Sequence, residues 1–260
     1  MDYTTLALEK TGPVAVVTLN RPQRLNAINS RMVEEIGEVM DNLAADMEIK
    51  AVILTGGMKY FCAGADISEV VKITEIDQAF QFARRIQEVF GKISDLPKPV
   101  IAAVAGLALG GGCEMMLACD LRVVSENASF GVPEISIGVI PGAGGSQRLP
   151  RLLGICQAKE MLFTGERIDA ARAYQVGLVN KVVPLEDLMN EAGKLAEKIA
   201  AKPPLALKMA KQLVNSGMDV DLTSALKLEA HALAFLFVTD DKKEGMTAFL
   251  EKRTAKFTGC

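Results

Sequence analysis

The chain carries one histidine, His231, and no tryptophan in 260 residues. A zinc centre would therefore rest on thiols and carboxylates, and these show no ligand-like spacing, so no metal is expected. His231 lies in the helical segment Leu228 to Leu233, far in sequence from every glycine loop, and no G-x-S-x-G elbow exists. Serine and cysteine hydrolase chemistry is disfavoured on both counts. The five cysteines are an odd set without a C-x-x-C pair, as in a reduced compartment, and imply no disulfide framework. Charge of one sign is also scarce: 29 basic residues face 32 acidic ones, a net charge of -3 without sustained runs. Nothing in that balance predicts nucleic-acid binding. The apolar stretches, such as Val100 to Leu109, are too short and Gly-interrupted to span a bilayer. Met1 to Lys10 has neither a signal nor a transit pattern, so a cytoplasmic protein with no membrane partner is expected. Nucleotide fingerprints fail as well. The G-x-G-x-x-G frames starting at Gly110 and Gly142 end on Met115 and Gln147, and both Gly-Lys pairs lack the first glycine of a phosphate loop.

What is present is an alternation of strands and helices. Leu6 and Leu8 alternate with polar residues, Gly12-Pro13 turns the chain, and Val14 to Leu19 returns as a more buried strand. Ser30 is placed to cap a helix carrying Met32, Val33, Ile36, Val39, Met40 and Leu43 at helical spacing. A strand over Ala51 to Thr55, a helix over Ala79 to Ile93 and a strand over Val100 to Ala105 follow, with Pro97-Lys98-Pro99 as a breaker. Gly110-Gly111-Gly112 then opens a short apolar helix, Cys113 to Ala118, before a strand over Leu121 to Val124. Beyond Pro184 the pattern is almost all helix, broken at Pro203-Pro204 and Gly217. The expected organisation is an α/β core over residues 1–184 and a helical region over 185–260.

Two acids stand out because their neighbours are apolar. Glu114 sits between Cys113 and Met115, just inside a helix whose N-terminal N–H groups favour negative charge. The triplet before it could equally serve a tight turn, and the carboxylate could simply complement the helix dipole. Twenty positions later Glu134 follows Pro133 in a second glycine-flanked apolar segment. Two such carboxylates, one held protonated by its surroundings and the other ionised, can deliver and accept a proton in one site. Glycine-rich or small-residue segments at Phe61 to Ile67 and Gly142 to Arg148 could bring backbone donors to a ligand, the second also beginning a helix, although each alone is a weak signal.

Taken together, Asn20-Arg21-Pro22 with Leu25-Asn26-Ala27, Phe61 to Ile67, Gly110 to Asp120, Phe130 to Leu149 and Asp240 to Arg253 closely resemble the enoyl-CoA hydratase/isomerase, or crotonase, family. The resemblance covers essentially the whole chain. It implies a spiral of β-β-α units with a helical C-terminal region in trimer contacts, commonly as a homo-hexamer of two trimers. It implies a hydro-lyase adding water to a short-chain trans-2-enoyl-CoA, with coenzyme A only as part of the substrate and no separate cofactor. Carried over by motif, Glu114 takes the water proton and Glu134 protonates C2. The N–H groups of Ala65 and Gly111 form the oxyanion hole, and that of Gly142 holds the water. Coenzyme A lies along Leu25, Ala27, Ala63, Ala65, Asp66, Ile67 and Ser68, and is closed over by Phe249 and Lys252, the latter two from a neighbouring subunit. The alternatives are an enoyl-CoA isomerase or another CoA-thioester enzyme of this family, and, in a different class, a non-catalytic CoA-binding protein.

Overall fold

A computed structural model describes residues 3–260. The chain opens with the hairpin β1 (Leu6–Thr11) and β2 (Val14–Leu19), turned at Gly12, whose φ is +55°. Helix α1 (Ser30–Ala45) and β3 (Ala51–Thr55) come next. They are followed by the short α2 (Ile67–Val70), the long α3 (Ile76–Asp95) and β4 (Val100–Val104). The middle of the chain gives β5 (Leu107–Leu109), α4 (Gly111–Ala118), β6 (Leu121–Ser125) and β7 (Ser129–Gly131). Then come α5 (Gly145–Leu153), α6 (Ile155–Thr164), β8 (Ile168–Asp169), α7 (Ala170–Gln175) and β9 (Lys181–Val183). Four helices complete it: α8 (Leu188–Ala200), α9 (Pro204–Gly217), α10 (Leu222–Leu236) and α11 (Asp240–Glu251).

The strands form a six-stranded sheet in the order β1-β2-β3-β4-β6-β9 and a three-stranded sheet in the order β5-β7-β8. In the larger sheet only β1 and β2 pair antiparallel, and every later neighbour is parallel. Strands buried on both faces need apolar side chains at every position, as β3 and β4 have. Val52 and Leu54 of β3, with Val100, Ala102 and Val104 of β4, join α1 and α3 in one core. The alternate residues Ala51, Ile53, Ile101 and Ala103 pack with Leu188, Ala192, Ala196 and Ala200 of α8 in the other. A layer of helix therefore covers each face of the sheet.

After β4 and again after β6 the chain crosses from the large sheet into the small one, as β5 and β7. The first crossing turns at Gly106, with φ +58°, where a Cβ would stand 2.3 Å from the Lys59 carbonyl oxygen. Only glycine fits that approach. The short strands β5, β7, β8 and β9 are not legible in the sequence, because two or three residues carry no periodicity.

The cap of α1 differs from expectation. Asn29, not Ser30, holds the extended N-cap conformation and accepts from the Met32 N–H at 3.0 Å. Ser30 is already helical, and both its N–H and its hydroxyl donate to Glu69 at 2.8 Å. Asn and Ser cap almost equally well, so backbone entry decides between neighbours. The C-terminal helices follow the predicted breaks at Pro203-Pro204 and Gly217. Neither α9 nor α10 buries a residue within this chain, although α10 is rich in leucine. No single helix among the described residues is long and apolar enough to cross a membrane.

Candidate active site

Three segments lie side by side and run the same way. Cys62 bridges Ala108 in parallel, and Ala108 pairs in parallel with Phe130. Chain leaving such a row ends on one side of it. Three residues beyond Cys62 is Ala65, three beyond Ala108 is Gly111, and four beyond Phe130 is Glu134. Glu114, in the first turn of α4, completes the group. The small sheet thus gathers four of the residues singled out in sequence, as carboxyl ends of parallel strands do in many ligand sites.

The backbone of this cluster is open to a ligand. A Cβ on Gly111 would lie 3.7 Å from the Ala65 nitrogen, and one on Gly64 would lie 3.6 Å from the Gly111 nitrogen. The two nitrogens are close neighbours. Among the described residues neither N–H finds an acceptor in the fold, and nor does that of Gly142. Gly110 joins the two halves: its N–H donates to Gly131 at 2.9 Å, and its carbonyl accepts from Glu114. Its φ is +51°, and a Cβ there would stand 2.6 Å from Glu134 Oε1. A side chain at 110 would displace the carboxylate.

The two glutamates share the site but differ in their surroundings. Glu114 is 2% exposed, and its Oε1 accepts from the N–H groups of Ala143 at 2.8 Å and Gly145 at 2.7 Å. Burial pushes its carboxyl up to about 7, aided by Glu134 and opposed by the two N–H groups and by Arg148. Burial also raises Glu134, whose Oε2 is buried without any hydrogen-bond partner. An unsatisfied buried carboxylate oxygen is costly and holds the group towards its neutral form. Both carboxyls are thus shifted towards the proton-holding form, Glu114 to a value near neutrality.

The other residues singled out in sequence fall into two groups, the loops on either side of Ala65 and the end of α11. Leu25 and Asn26 both take positive φ, 51° and 55°. Asn26 locks the loop: it accepts from the Arg21 N–H at 2.9 Å and donates to the carbonyls of Gly56, Tyr60 and Phe61, each at 3.1 Å. The Leu25 carbonyl accepts from the Ala63 N–H, and Ile28 bridges Ala65 in parallel, so the 25–28 and 63–66 loops form one unit. Asp66 spends its carboxylate inside this unit, on Arg21 at 3.0 Å and the Ser68 hydroxyl at 2.6 Å. Ala27 is half-buried, Ile67 and Ser68 are exposed. Phe249 is 82% exposed and Lys252 takes a left-handed cap at the end of α11, and the chain's own fold covers neither. The structural role of Asn26 could have been suspected in sequence, since asparagine tolerates positive φ.

The thiols near these loops are unreactive, although Cys62 Sγ accepts from the Gly64 N–H at 3.5 Å. Burial pushes Cys62, Cys113 and Cys119 each up to about 12, so they remain protonated. His231 is exposed on α10. No group of three histidine, cysteine or acidic side chains among the described residues is arranged to hold a metal ion.

Comparison with known proteins accords with this geometry. The family model for enoyl-CoA hydratase/isomerase matches residues 9–260. A short-chain-enoyl-CoA hydratase of Clostridium acetobutylicum is 49% identical over 254 residues, covering 97% of both chains. A crotonyl-CoA hydratase of Syntrophomonas wolfei is 45% identical, with 99% of both chains covered. The crystal structure of an enoyl-CoA hydratase from Bacillus anthracis superposes with a TM-score of 0.95 at 41% identity, over 99% of this chain and 100% of that one. With identity at this level over nearly its full length, a shared fold and a model match from 9 to 260, the chain belongs to the enoyl-CoA hydratase/isomerase family.

Proposed function

We propose that the protein is an enoyl-CoA hydratase, a hydro-lyase that adds water reversibly to a short-chain trans-2-enoyl-CoA to give the 3-hydroxyacyl-CoA. The observation that carries this reading is the pair Glu114 and Glu134, both with raised pKa, beside two backbone N–H groups that have no acceptor. The names of the curated relatives from Clostridium acetobutylicum and Syntrophomonas wolfei support the short-chain assignment.

In this mechanism the thioester oxygen accepts from the N–H groups of Ala65 and Gly111. As water attacks C3, charge gathers on that oxygen, and preorganised donors stabilise it more than they stabilise the substrate. Glu114, ionised, takes a proton from the water, whose oxygen bonds to C3, while Glu134, neutral, gives its proton to C2. The C2–C3 double bond becomes single, and the proton balance between the carboxyls is restored through solvent. The Gly142 N–H orients the water. Coenzyme A lies against Leu25, Ala27 and the 63–68 loop, Asp66 acting through the loop it holds rather than by direct charge. No metal or separate cofactor takes part, and the five free thiols suit a reducing, cytoplasmic setting.

Purified protein is expected to hydrate crotonyl-CoA at full rate after exhaustive EDTA treatment, followed by loss of the conjugated enone absorbance. Absence of hydration, with double-bond migration in a 3-enoyl-CoA instead, would make it an isomerase. The leucine-bearing helices α9 and α10, which bury no residue within the chain, with Phe249 and Leu250 of α11 about four-fifths exposed, support a homo-hexamer of two trimers in which Phe249 and Lys252 reach a neighbour's CoA site. Light scattering should return a multiple of three chains, and a stable active monomer would overturn this assembly.

A further inference from the structure

Glu114 is held by a loop, and the loop is held by an arginine that the chemistry above does not use. The N–H groups of Ala143 and Gly145 grip Glu114 Oε1, and Gly144 lies between them. The Arg148 side chain crosses Gly144 so closely that a Cβ there would meet its Nε at 3.1 Å and its Cδ at 3.5 Å. The Arg148 N–H donates to the Gly144 carbonyl at 2.7 Å, while Nη2 donates to the Ser94 hydroxyl of α3 at 3.3 Å. That bond to Ser94 is the guanidinium's one hydrogen bond among the described residues, and it forms no ion pair there. Its neighbour Arg151, by contrast, faces Asp219 at 3.6 Å.

Arg148 also lines a cavity of about 900 Å³ that opens to solvent, with Ala118, Ala143, Gly144 and Lys211 in its walls. Within that cavity Asp120 is already paired with Lys211 at 2.7 Å, and Arg122 donates to the carbonyls of Leu178 and Cys119. A half-buried cation with no carboxylate partner is expensive unless its charge serves something. The charged groups that bear on it are Asp95, Glu114 and Arg151, and those that bear on Glu114 are Glu134 and Arg148.

We propose that Arg148 is a positioning residue for the hydration assigned above: it braces the 142–145 loop against α3 and sets a fixed positive charge behind Glu114 that favours its carboxylate form. The inference rests on the role of Glu114 as base. The sign follows directly, since a nearby cation favours the charged form of a carboxylate and its removal favours the neutral form.

The test compares Arg148→Met, Arg148→Lys and Arg148→Ala in the intact oligomer. In Arg148→Met the acid limb of the kcat/KM profile should move up by about one pH unit, with kcat about tenfold lower at neutral pH and KM little changed. Arg148→Lys should restore most of the limb. In Arg148→Ala the emptied space joins the cavity, and added guanidinium should recover part of the lost rate. Independently of activity, the Glu114 carboxyl in protein labelled with carbon-13 glutamate, assigned through Glu114→Gln, should titrate about one unit higher in Arg148→Met. A folded Arg148→Met with an unmoved carboxyl titration and an unmoved acid limb overturns the proposal. If Arg148→Met fails to fold, an Arg148→Lys titration displaced as far as that of Arg148→Ala, with no rescue by guanidinium, overturns it as well. A Glu114 titration displaced in Arg148→Met, together with wild-type protein that hydrates no enoyl-CoA, would sink the function while leaving the electrostatic link intact.

Discussion

Glu35 on α1 and Glu114 on α4 are both withdrawn from solvent, yet their acidities lie on opposite sides of the ordinary value. Burial pushes both upwards. Glu35 is overruled by donors: Thr4 supplies an N–H and a hydroxyl at 2.8 Å, Thr5 supplies the same pair at 2.8 and 2.6 Å, and Arg31 approaches at 2.9 Å. Its carboxyl falls to about 2. Glu114 has two N–H donors on one oxygen and the Glu134 carboxyl for company, and rises to about 7. Donor count separates an acid that ties the N-terminal strand to α1 from one left ready to move a proton.

The comparison breaks most visibly in activity. Glu114→Gln and Glu134→Gln should each lower the hydration rate by about 10²- to 10⁴-fold with CoA-thioester binding nearly intact, whereas Glu35→Gln should leave kcat unchanged in whatever protein remains folded. Steady-state kinetics on crotonyl-CoA checks all three. The Glu114→Gln, Glu134→Gln double variant should fall far short of the product of the single defects, because the two acids act as one unit.

Stability should move in opposite directions. Glu35 has a lowered pKa, so its contribution is present above pH 4.5 and is lost as pH falls towards about 2. Glu35→Gln should therefore cost about 3 kcal/mol at neutral pH, a deficit that shrinks in acid. Glu114 has a raised pKa, so the wild-type fold loses stability as pH rises from 4.5 to about 7. Glu114→Gln should gain up to about 3 kcal/mol above that window and nothing below it. Urea melts at pH 4 and pH 8 distinguish the two, and equal pH slopes for both variants would refute the contrast. The smallest effect is expected for Gly110→Ala, whose new Cβ crowds Glu134 Oε1 at 2.6 Å. It should lower kcat about tenfold and leave the Glu35 region and its pH dependence untouched, a combination that kinetics and acid melts can read together.

The active acids were legible because a lone glutamate in an apolar run is chemically conspicuous, and Glu114 and Glu134 are both of this kind. Glu35 was not. It sits beside Glu34 on a charged helix, and its partners Thr4 and Thr5 lie about thirty residues away, a proximity that only folding creates. All of the large sheet but its edge strand β9 could be read from apolar strands, whereas β5 and β7, which bring Ala65, Gly111 and Glu134 together, are too short to leave a pattern. Arg148 closes the glycine-rich segment visible in the sequence, but its role is not legible there, because it lies in what the side chain crosses rather than in its neighbours along the chain.

The buried thiols give the site its own record of opening. Cys156 and Cys260 are exposed, whereas Cys62, Cys113 and Cys119 sit in the Ala65 loop, beside Glu114 and at the end of α4. With thiol pKa values near 12, the latter three are closed to alkylating reagents by chemistry as well as by burial. A reagent given time thus marks the two exposed thiols first and adds a third, fourth or fifth only as the fold around the buried ones opens. Labelling at Cys62 and Cys113 times the local opening around Ala65 and Glu114, and labelling at Cys119 that at the end of α4, each separately from the melting of the whole protein.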